Sequence, residues 1–402
     1  MKICTTTVFA QLCNLMPRAE LLRLDEALYP NQANAQKFDA WDHLVALVFC
    51  HIAQCDSLRQ IEQLLALSGA NLHHARGASP MKRSTLAYAN ARRDYSVFER
   101  FYYFLLKHYQ TELQIRFPAS LKRPVYSLDS TTITVCMSLF KWARFRRNKG
   151  GFKLHTVLSH ETLLPEVIDM TDGKVADVKQ AREIIAELPE SSYVVMDRGY
   201  NDYELFAWLC QRGTRFITRL KDNAKTSSLR LGFRGKAHAK KANAWGDYEF
   251  EFTAERAKEV CGDLKFRCIQ WHDPENDRWF EFLTNDFDLE AEHVAELYRS
   301  RWKVELFFKK LKQNLRIKSF VGRTKNAVMN QVWAAMITTL LVELISRQSE
   351  RDWPFSLLFS YLGHALLSTR VLMDIVNNPK ALPTPTTRGG KPPLRTQGII
   401  PF

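Results

Sequence analysis

Between about residues 119 and 220 the chain alternates β-rich runs with amphipathic stretches in one order, and that order constrains the fold more than any other feature. Val125–Leu128 and Thr132–Val135 flank Asp129 in VYSLDSTTITV, a run of β-branched residues with a carboxylate inside it. Phe152–Leu158 and Glu166–Met170 follow as a hairpin, joined by a turn through His160 to Leu164. Ala176–Leu188 repeats apolar residues at helical spacing. Tyr193–Met196 is a short apolar strand ending on Asp197, Glu204–Arg212 is a second helix, and Arg215–Leu220 is another strand.

Three strands, helix, strand, helix, strand resembles a ribonuclease-H-like core. The expected fold class is therefore α/β: a ribonuclease-H-like core over 119–345, interrupted by a β-rich insertion at 222–285 and preceded by an α-helical DNA-binding domain. In the insertion, Tyr248, Phe250 and Phe252 alternate with charged residues, as do Leu264, Phe266 and Cys268, and Trp279–Leu283 is a third aromatic run. They suggest a small β subdomain spliced into the core. Residues 1–118 repeat apolar residues at helical spacing through Trp41–Gln54, Leu58–Leu67 and Tyr95–Tyr109. Ser57 fits the N-cap of the second of these and Gly69 its stop.

Within SPMKRSTLAYANARR, Ser84 is placed to cap a short helix carrying Lys82 and Arg83 at one end and Arg92 and Arg93 at the other. Such a helix suits insertion beside a DNA groove. An ordinary bundle with a solvated charged face fits the same residues. A helical segment at 346–379 and a flexible basic tail at 380–402 complete the expected order. That tail is rich in Pro and Gly, with four basic residues and no acid.

Lys and Arg outnumber Asp and Glu by 57 to 43, a net charge of +14 that favours a polyanionic partner. An anionic membrane surface would match the charge, but no basic amphipathic helix with an exposed apolar face stands out. Hydrophobic content of 46% with 25% charged residues excludes wholesale disorder. Eight cysteines without a CxxC pair fit neither a zinc site nor a disulfide framework, and read as reduced thiols. Polar residues break the N-terminal apolar patch too early for a signal peptide. The longest apolar run, Val332–Ile345, is interrupted by Thr338, Thr339 and Glu343 and is too short to span a bilayer. The expectation is a cytoplasmic protein with no membrane segment.

In LYRSRWKVELFFKKLKQNL, Tyr298, Arg301, Glu305 and Lys312 sit at offsets 0, 3, 7 and 14. On a single helix these positions fall within an arc of about 60°. Leu297, Val304, Phe307, Phe308, Leu311 and Leu315 form a separate apolar arc suited to a core. A carboxylate flanked by Arg, Lys and Tyr can hold a metal while its neighbours grip phosphate. With Asp129 on the first strand and Asp197 ending the fourth, neighbours in such a sheet, three carboxylates can converge. Carboxylates alone suit Mg²⁺ or Mn²⁺, two ions about 3.5–4 Å apart serving an in-line displacement. Each acid also has a plainer reading, as a turn, a cap or a surface charge.

The first-strand Asp129, the turn Asp197-Arg198-Gly199-Tyr200 and the signature Tyr298, Arg301, Glu305, Lys312 together resemble the DDE transposases of bacterial insertion sequences, of the IS-four type. The resemblance covers about 119–345, and less specifically the N-terminal helices, which look like a DNA-end-binding domain. It implies cut-and-paste transposition of double-stranded DNA through a hairpin intermediate, with Asp129, Asp197 and Glu305 binding the metals. It also implies that Tyr298, Arg301 and Lys312 contact phosphates and that two ends are synapsed by at least a dimer. A flipped base needs an aromatic partner. Trp302 and Trp279 are the candidates, and core packing fits both equally. The 108 residues from Asp197 to Glu305 are long for a bare core, which the family's β insertion explains.

Lys141, Arg144, Arg146, Arg147, Lys149 and Lys153 lie within KWARFRRNKGGFK among aromatic residues and without an acid, a composition suited to tracking a DNA backbone. A solvated loop is the plainer reading. Two rivals share the same core. One is a metal-dependent nuclease or resolvase, and the other a catalytically idle DNA-binding transposition inhibitor, whose expected mark, a missing acid, is absent.

Overall fold

The computed structural model describes residues 5–30, 38–67, 69–115, 123–146, 149–227, 244–274, 276–315, 317 and 319–379. The basic tail at 380–402 and Arg147 lie outside them. The N-terminal part is helical: α1 (Val8–Cys13), α2 (Arg18–Leu28), α3 (Ala40–Ile52), α4 (Leu58–Leu67), α5 (Arg83–Arg92), α6 (Ser96–His108) and α7 (Gln110–Leu113). Asp39 starts α3 with a capping box, exchanging side-chain to backbone hydrogen bonds with Asp42. Ser57 Oγ accepts from the Gln60 amide, in keeping with its expected cap. Ser84 does not cap α5: the helix already begins at Arg83, with Lys82 at the N-cap and no side-chain cap bond.

The mixed α/β part begins with β1 (Val125–Val135), β2 (Arg144–Arg146), β3 (Lys149–Ser159) and β4 (Pro165–Asp172). It continues through α8 (Asp177–Ala186), β5 (Tyr193–Met196), α9 (Tyr203–Arg212) and β6 (Arg215–Arg219). Asp202 caps α9, and Gly213 ends it at φ 77°, a left-handed stop that glycine adopts without strain. Then come β7 (Ala244–Phe250), α10 (Glu255–Cys261), β8 (Phe266–Asp273), β9 (Arg278–Thr284) and α11 (Ala291–Ser300). The last elements are α12 (Trp302–Asn314), α13 (Lys325–Gln348), α14 (Phe355–Ala365) and α15 (Leu372–Asn377).

The nine strands found among the described residues form one sheet in the order β2-β3-β1-β5-β6-β9-β8-β7, with β4 also on β3. β1, β5 and β6 are parallel, and the other pairings are antiparallel. Asp129 lies within one continuous strand, as expected. The strands of the 222–285 segment carry no separate sheet among the described residues, because β9 pairs with β6 and extends the central one.

Alternation assigns the two faces of this sheet. Val125, Tyr193, Val195 and Ile217 pack with Val294 and Leu297 of α11. Tyr126, Leu128, Val194 and Met196 face Ile184 of α8 and Phe206 of α9. A third core joins α1–α7 to α12–α15 and to Ile133, Phe152 and Leu154 at the far end of the sheet. The N-terminal helices thus share a core with the helices that follow the sheet. Trp41, Trp333, Phe98 and Phe101 are fully buried there, each worth about 1.5–3 kcal/mol of apolar burial. α13 is long and apolar enough to cross a membrane, but its apolar stretch is wholly buried inside the protein. No disulfide forms among the described cysteines.

Candidate active site

β1 and β5 run parallel with Leu128 opposite Met196, so Asp129 and Asp197 follow side by side where the pairing ends. Both continue the odd-numbered alternation onto the α11 face. One Asp129 oxygen accepts the Ser130 amide at 2.8 Å. Burial pushes its carboxyl up to about 6, and the charges of Asp197 and Glu305 push the same way, while the Ser130 amide and Arg301 offset part of the rise. Asp197 caps a short 3₁₀ turn, Arg198–Tyr200, accepting the Gly199 amide at 2.8 Å. A Cβ at Gly199 would stand 2.9 Å from that same oxygen, so glycine keeps the turn tight under the carboxylate.

The stretch expected as one helix is two. α11 stops at Ser300 and α12 starts at Trp302, with Arg301 between them. The Arg301 amide bonds to Tyr298 at i−3, and the Val304 amide to Arg301 at the same spacing, so the junction is a tightened turn. Arg301 keeps helical angles, φ −52° and ψ −32°, so the polar stripe passes through the junction. Its guanidinium lies 2.7 Å from Glu305 and 3.6 Å from Asp129. It also stands over the Tyr298 ring at 5.7 Å, and that ring packs against Phe282 at 5.0 Å. Lys312 Nζ donates to Thr131 Oγ1, two residues along β1 from Asp129 and on the same face. Arg301 and Lys312 thus reach the Asp129 strand directly, Glu305 is tied to it through Arg301, and Tyr298 packs on β9.

Among the described residues, no three His, Cys, Asp or Glu side chains stand close enough to surround one ion as they are. The Arg301 guanidinium lies between Asp129 and Glu305 and supplies positive charge there. The donor set of carboxylate oxygens, one of them desolvated beside two like charges, fits a hard divalent cation.

The other expected contact residues divide. Trp302 and Trp279 are 56% and 52% exposed, which removes core packing as the reading of either. Trp279 projects from β9 beside His272, ring centroids 4.7 Å apart, while Phe280 and Phe282 point to the face of α11. Arg83 and Arg92 are exposed, Arg92 lying over Tyr88. Arg93 is not available to DNA: it is buried, donates to the carbonyls of Phe38 and Asp39 and pairs with Asp25. Lys153 is half-buried on the opposite sheet face, donating to Asp177 and to the Val175 carbonyl. Lys141 is exposed, Arg144 and Arg146 fall in β2, and Lys149 opens β3.

Three residues near the acids received no role from the sequence. Tyr200 is buried with its hydroxyl among the charges of Asp129, Asp177 and Asp197. Arg219 ends β6 over the Phe280 ring at 4.9 Å. His160 lies in the β3–β4 turn against β1. Tyr200 closes the Asp-x-Gly-Tyr turn, and that signal was in plain view; the other two carried none.

Residues 120–341 match the family described as transposase DDE domain, and residues 5–76 match a domain of unknown function. A probable transposase for insertion sequence element IS5377 from Geobacillus stearothermophilus is 29% identical over 271 residues, 66% of this chain and 67% of the relative. The putative transposase y4zB from Sinorhizobium fredii is 28% identical over 306 residues, 76% of this chain and 83% of the relative. A putative transposase for insertion sequence element IS4SA from Synechocystis is 25% identical over 268 residues, 65% and 71% of the two chains. A piggyBac transposase solved in a synaptic complex with hairpin DNA aligns at TM-score 0.42 and 11% identity, covering 96% of this chain and 84% of that one. With acids on adjacent strands and the third beside them on α12, and with a DDE-domain match over more than half its length, this chain belongs to the DDE transposases of insertion sequence elements, metal-dependent enzymes that cut DNA and transfer its strands.

Proposed function

We propose that this transposase moves its element by cut-and-paste on a ribonuclease-H-like core, with Asp129, Asp197 and Glu305 holding two Mg²⁺ or Mn²⁺ ions. The observation that carries the reading is the convergence of Asp129 and Glu305 on one guanidinium, beside Asp197 at the end of the neighbouring strand. When bound, the ions supply the charge that activates the attacking oxygen and stabilises the leaving one.

The chain's residues do the positioning. Water attacks the phosphorus at the element's end, the P–O bond to the flanking strand breaks, and a 3′-hydroxyl is released. That hydroxyl then attacks the opposite strand, forming a hairpin as the bond to the flanking DNA breaks. Hydrolysis of the hairpin phosphodiester frees the 3′-hydroxyl again, and that hydroxyl finally attacks a target phosphorus, forming the new P–O bond as the target strand's own P–O3′ bond breaks. Tyr298, Arg301 and Lys312 grip phosphate through these exchanges, Arg301 turning from carboxylates to phosphate once cations neutralise the acids. Trp302, exposed one residue after Arg301, stacks on the base that a hairpin forces out, with Trp279 the second candidate.

The N-terminal helices hold the element's end, with Arg83 and Arg92 on the phosphates, and Lys141, Arg144, Arg146, Arg147 and Lys149 track the flanking duplex. Two copies pair the two ends in the bacterial cytoplasm, at the nucleoid.

The test is strand transfer by purified protein with Mg²⁺, DNA bearing the ends that flank the gene, and a supercoiled target, alongside Glu305→Ala. Joined products from the wild type alone support the reading. Nicking without joining would leave a nuclease, and binding without cleavage an idle DNA-binding protein.

A further inference from the structure

Ser127 lies two residues before Asp129 on the same face of β1, and Ser300 lies one residue before Arg301 at the α11–α12 junction. The fully buried His160 joins them. Its Nε2 is 2.7 Å from Ser127 Oγ and its Nδ1 is 3.2 Å from Ser300 Oγ. Its own amide donates to the Val125 carbonyl, anchoring the β3–β4 turn to the same strand. Ser300 and Arg301 lie outside the apolar arc, so these two are held by polar contacts: Arg301 by its ion pairs with Asp129 and Glu305, and Ser300 by His160 and the Leu297 carbonyl.

The hydrogen bonds settle the direction of the chain. Ser300 Oγ donates its one proton to the Leu297 carbonyl at 2.6 Å, so toward His160 it accepts. Nδ1 therefore carries the ring proton and Nε2 accepts from the Ser127 hydroxyl. Burial first, and the nearby Lys303 charge second, push the imidazole down to about 3. The ring stays neutral at working pH, its single N–H engaged with Ser300 Oγ.

We infer that His160 is a positioning residue of the transposase reaction, a neutral strut that holds the Arg301–Glu305 turn at a set distance from Asp129. The inference rests on the metal-site reading of Asp129, Asp197 and Glu305, but the strut itself is independent of it. Losing the strut leaves each acid in place and loosens the geometry between them. Groups that orient metal-holding side chains cost about tenfold or more in metal affinity or activity when removed.

The test compares wild type with His160→Ala, His160→Gln and Ser300→Ala, using three readouts. Amide hydrogen exchange is followed over residues 297–305, Mg²⁺ affinity by calorimetry, and cleavage at saturating DNA against end-binding affinity. His160→Ala is expected to speed exchange in 297–305 selectively and to weaken Mg²⁺ binding about tenfold. Cleavage should fall while end binding stays within about twofold, with partial rescue by His160→Gln. The double variant His160→Ala with Ser300→Ala should be no worse than His160→Ala alone, because both remove one chain. Ser300→Ala removes only a hydroxyl oxygen and keeps the test intact if His160→Ala fails to fold. Unchanged exchange in 297–305 in a folded variant would overturn the strut, whether or not the wild type cleaves. Selective exchange with unchanged Mg²⁺ affinity in a metal-binding wild type would overturn its positioning role. If the wild type bound no Mg²⁺, the metal-site reading would fall while the exchange result still judged the strut.

Discussion

The Arg301 guanidinium is 2.7 Å from the Glu305 carboxylate, one helical turn further along the chain. Because it also stands 3.6 Å from Asp129, it balances the charge of both acids. Arg301→Ala is expected to cost on the order of 1–3 kcal/mol without metal, since it leaves partly buried carboxylates facing each other. Mg²⁺ should then raise the melting temperature of Arg301→Ala more than that of the wild type, by restoring the lost charge. Thermal unfolding with EDTA and with Mg²⁺ reads both effects. An equal Mg²⁺ response in the two proteins would mean that Arg301 and the ion do not compete for this place.

Asp129 gives the site a pH dependence. Its carboxyl is raised from 3.8 to about 6, chiefly by burial. In the metal-free protein the folded state holds this proton more tightly than the unfolded chain does. Its contribution to stability is therefore complete below about pH 4 and is lost as pH rises through about 6. Metal binding needs the ionised form, so Mg²⁺ affinity should fall as pH drops below about 6 and level off above about 7. Calorimetric titrations from pH 5 to pH 8 check this, and Asp129→Asn should bind too weakly to show the step.

The basic residues flanking α5 have separate fates. Arg93 is buried against two carbonyls and Asp25, so Arg93→Ala should destabilise the helical core by about 3 kcal/mol in urea titration. Arg83→Ala and Arg92→Ala should leave the unfolding midpoint unchanged and weaken DNA binding, each reducing its salt dependence by about one phosphate contact. Loss of stability in Arg83→Ala would show that its exposed side chain supports the fold.

How legible these features were depended on whether the signal was local. The alternation in VYSLDSTTITV and the apolar run at Tyr193–Met196 are local, and both became strands with Asp129 and Asp197 at the expected positions. Strand faces are written in alternation, but strand partners are not. The aromatic runs at 248–283 were therefore legible as strands, while the pairing of β9 with β6 was not. The break at Arg301 was invisible because helical angles at that residue preserve the periodicity on both sides. Arg93 and Lys153 read as surface cations because their acidic partners, Asp25 and Asp177, lie far off in sequence. His160 was only a turn residue until the fold brought Ser127 and Ser300 to either side of it.

Away from the site, Glu166 on β4 supplies a second pH-sensitive term. Burial first, and the charge of Glu161 second, raise its carboxyl from 4.5 to about 7. The folded protein thus binds a proton at Glu166 between about pH 4.5 and 7 that the unfolded chain has released. Stability from this group is full below about 4.5 and drains away as pH rises through 7, where the half-buried carboxylate must ionise. Glu166→Gln carries no such proton. Its urea midpoint, relative to wild type, should rise steadily from pH 4.5 to 7 and stay constant above about pH 8, where both forms have finished titrating. The same comparison in Arg93→Ala serves as control, since its loss arises elsewhere and should leave the Glu166 slope in place. A flat difference between Glu166→Gln and wild type across that range would show that Glu166 reaches solvent and ionises at its ordinary value.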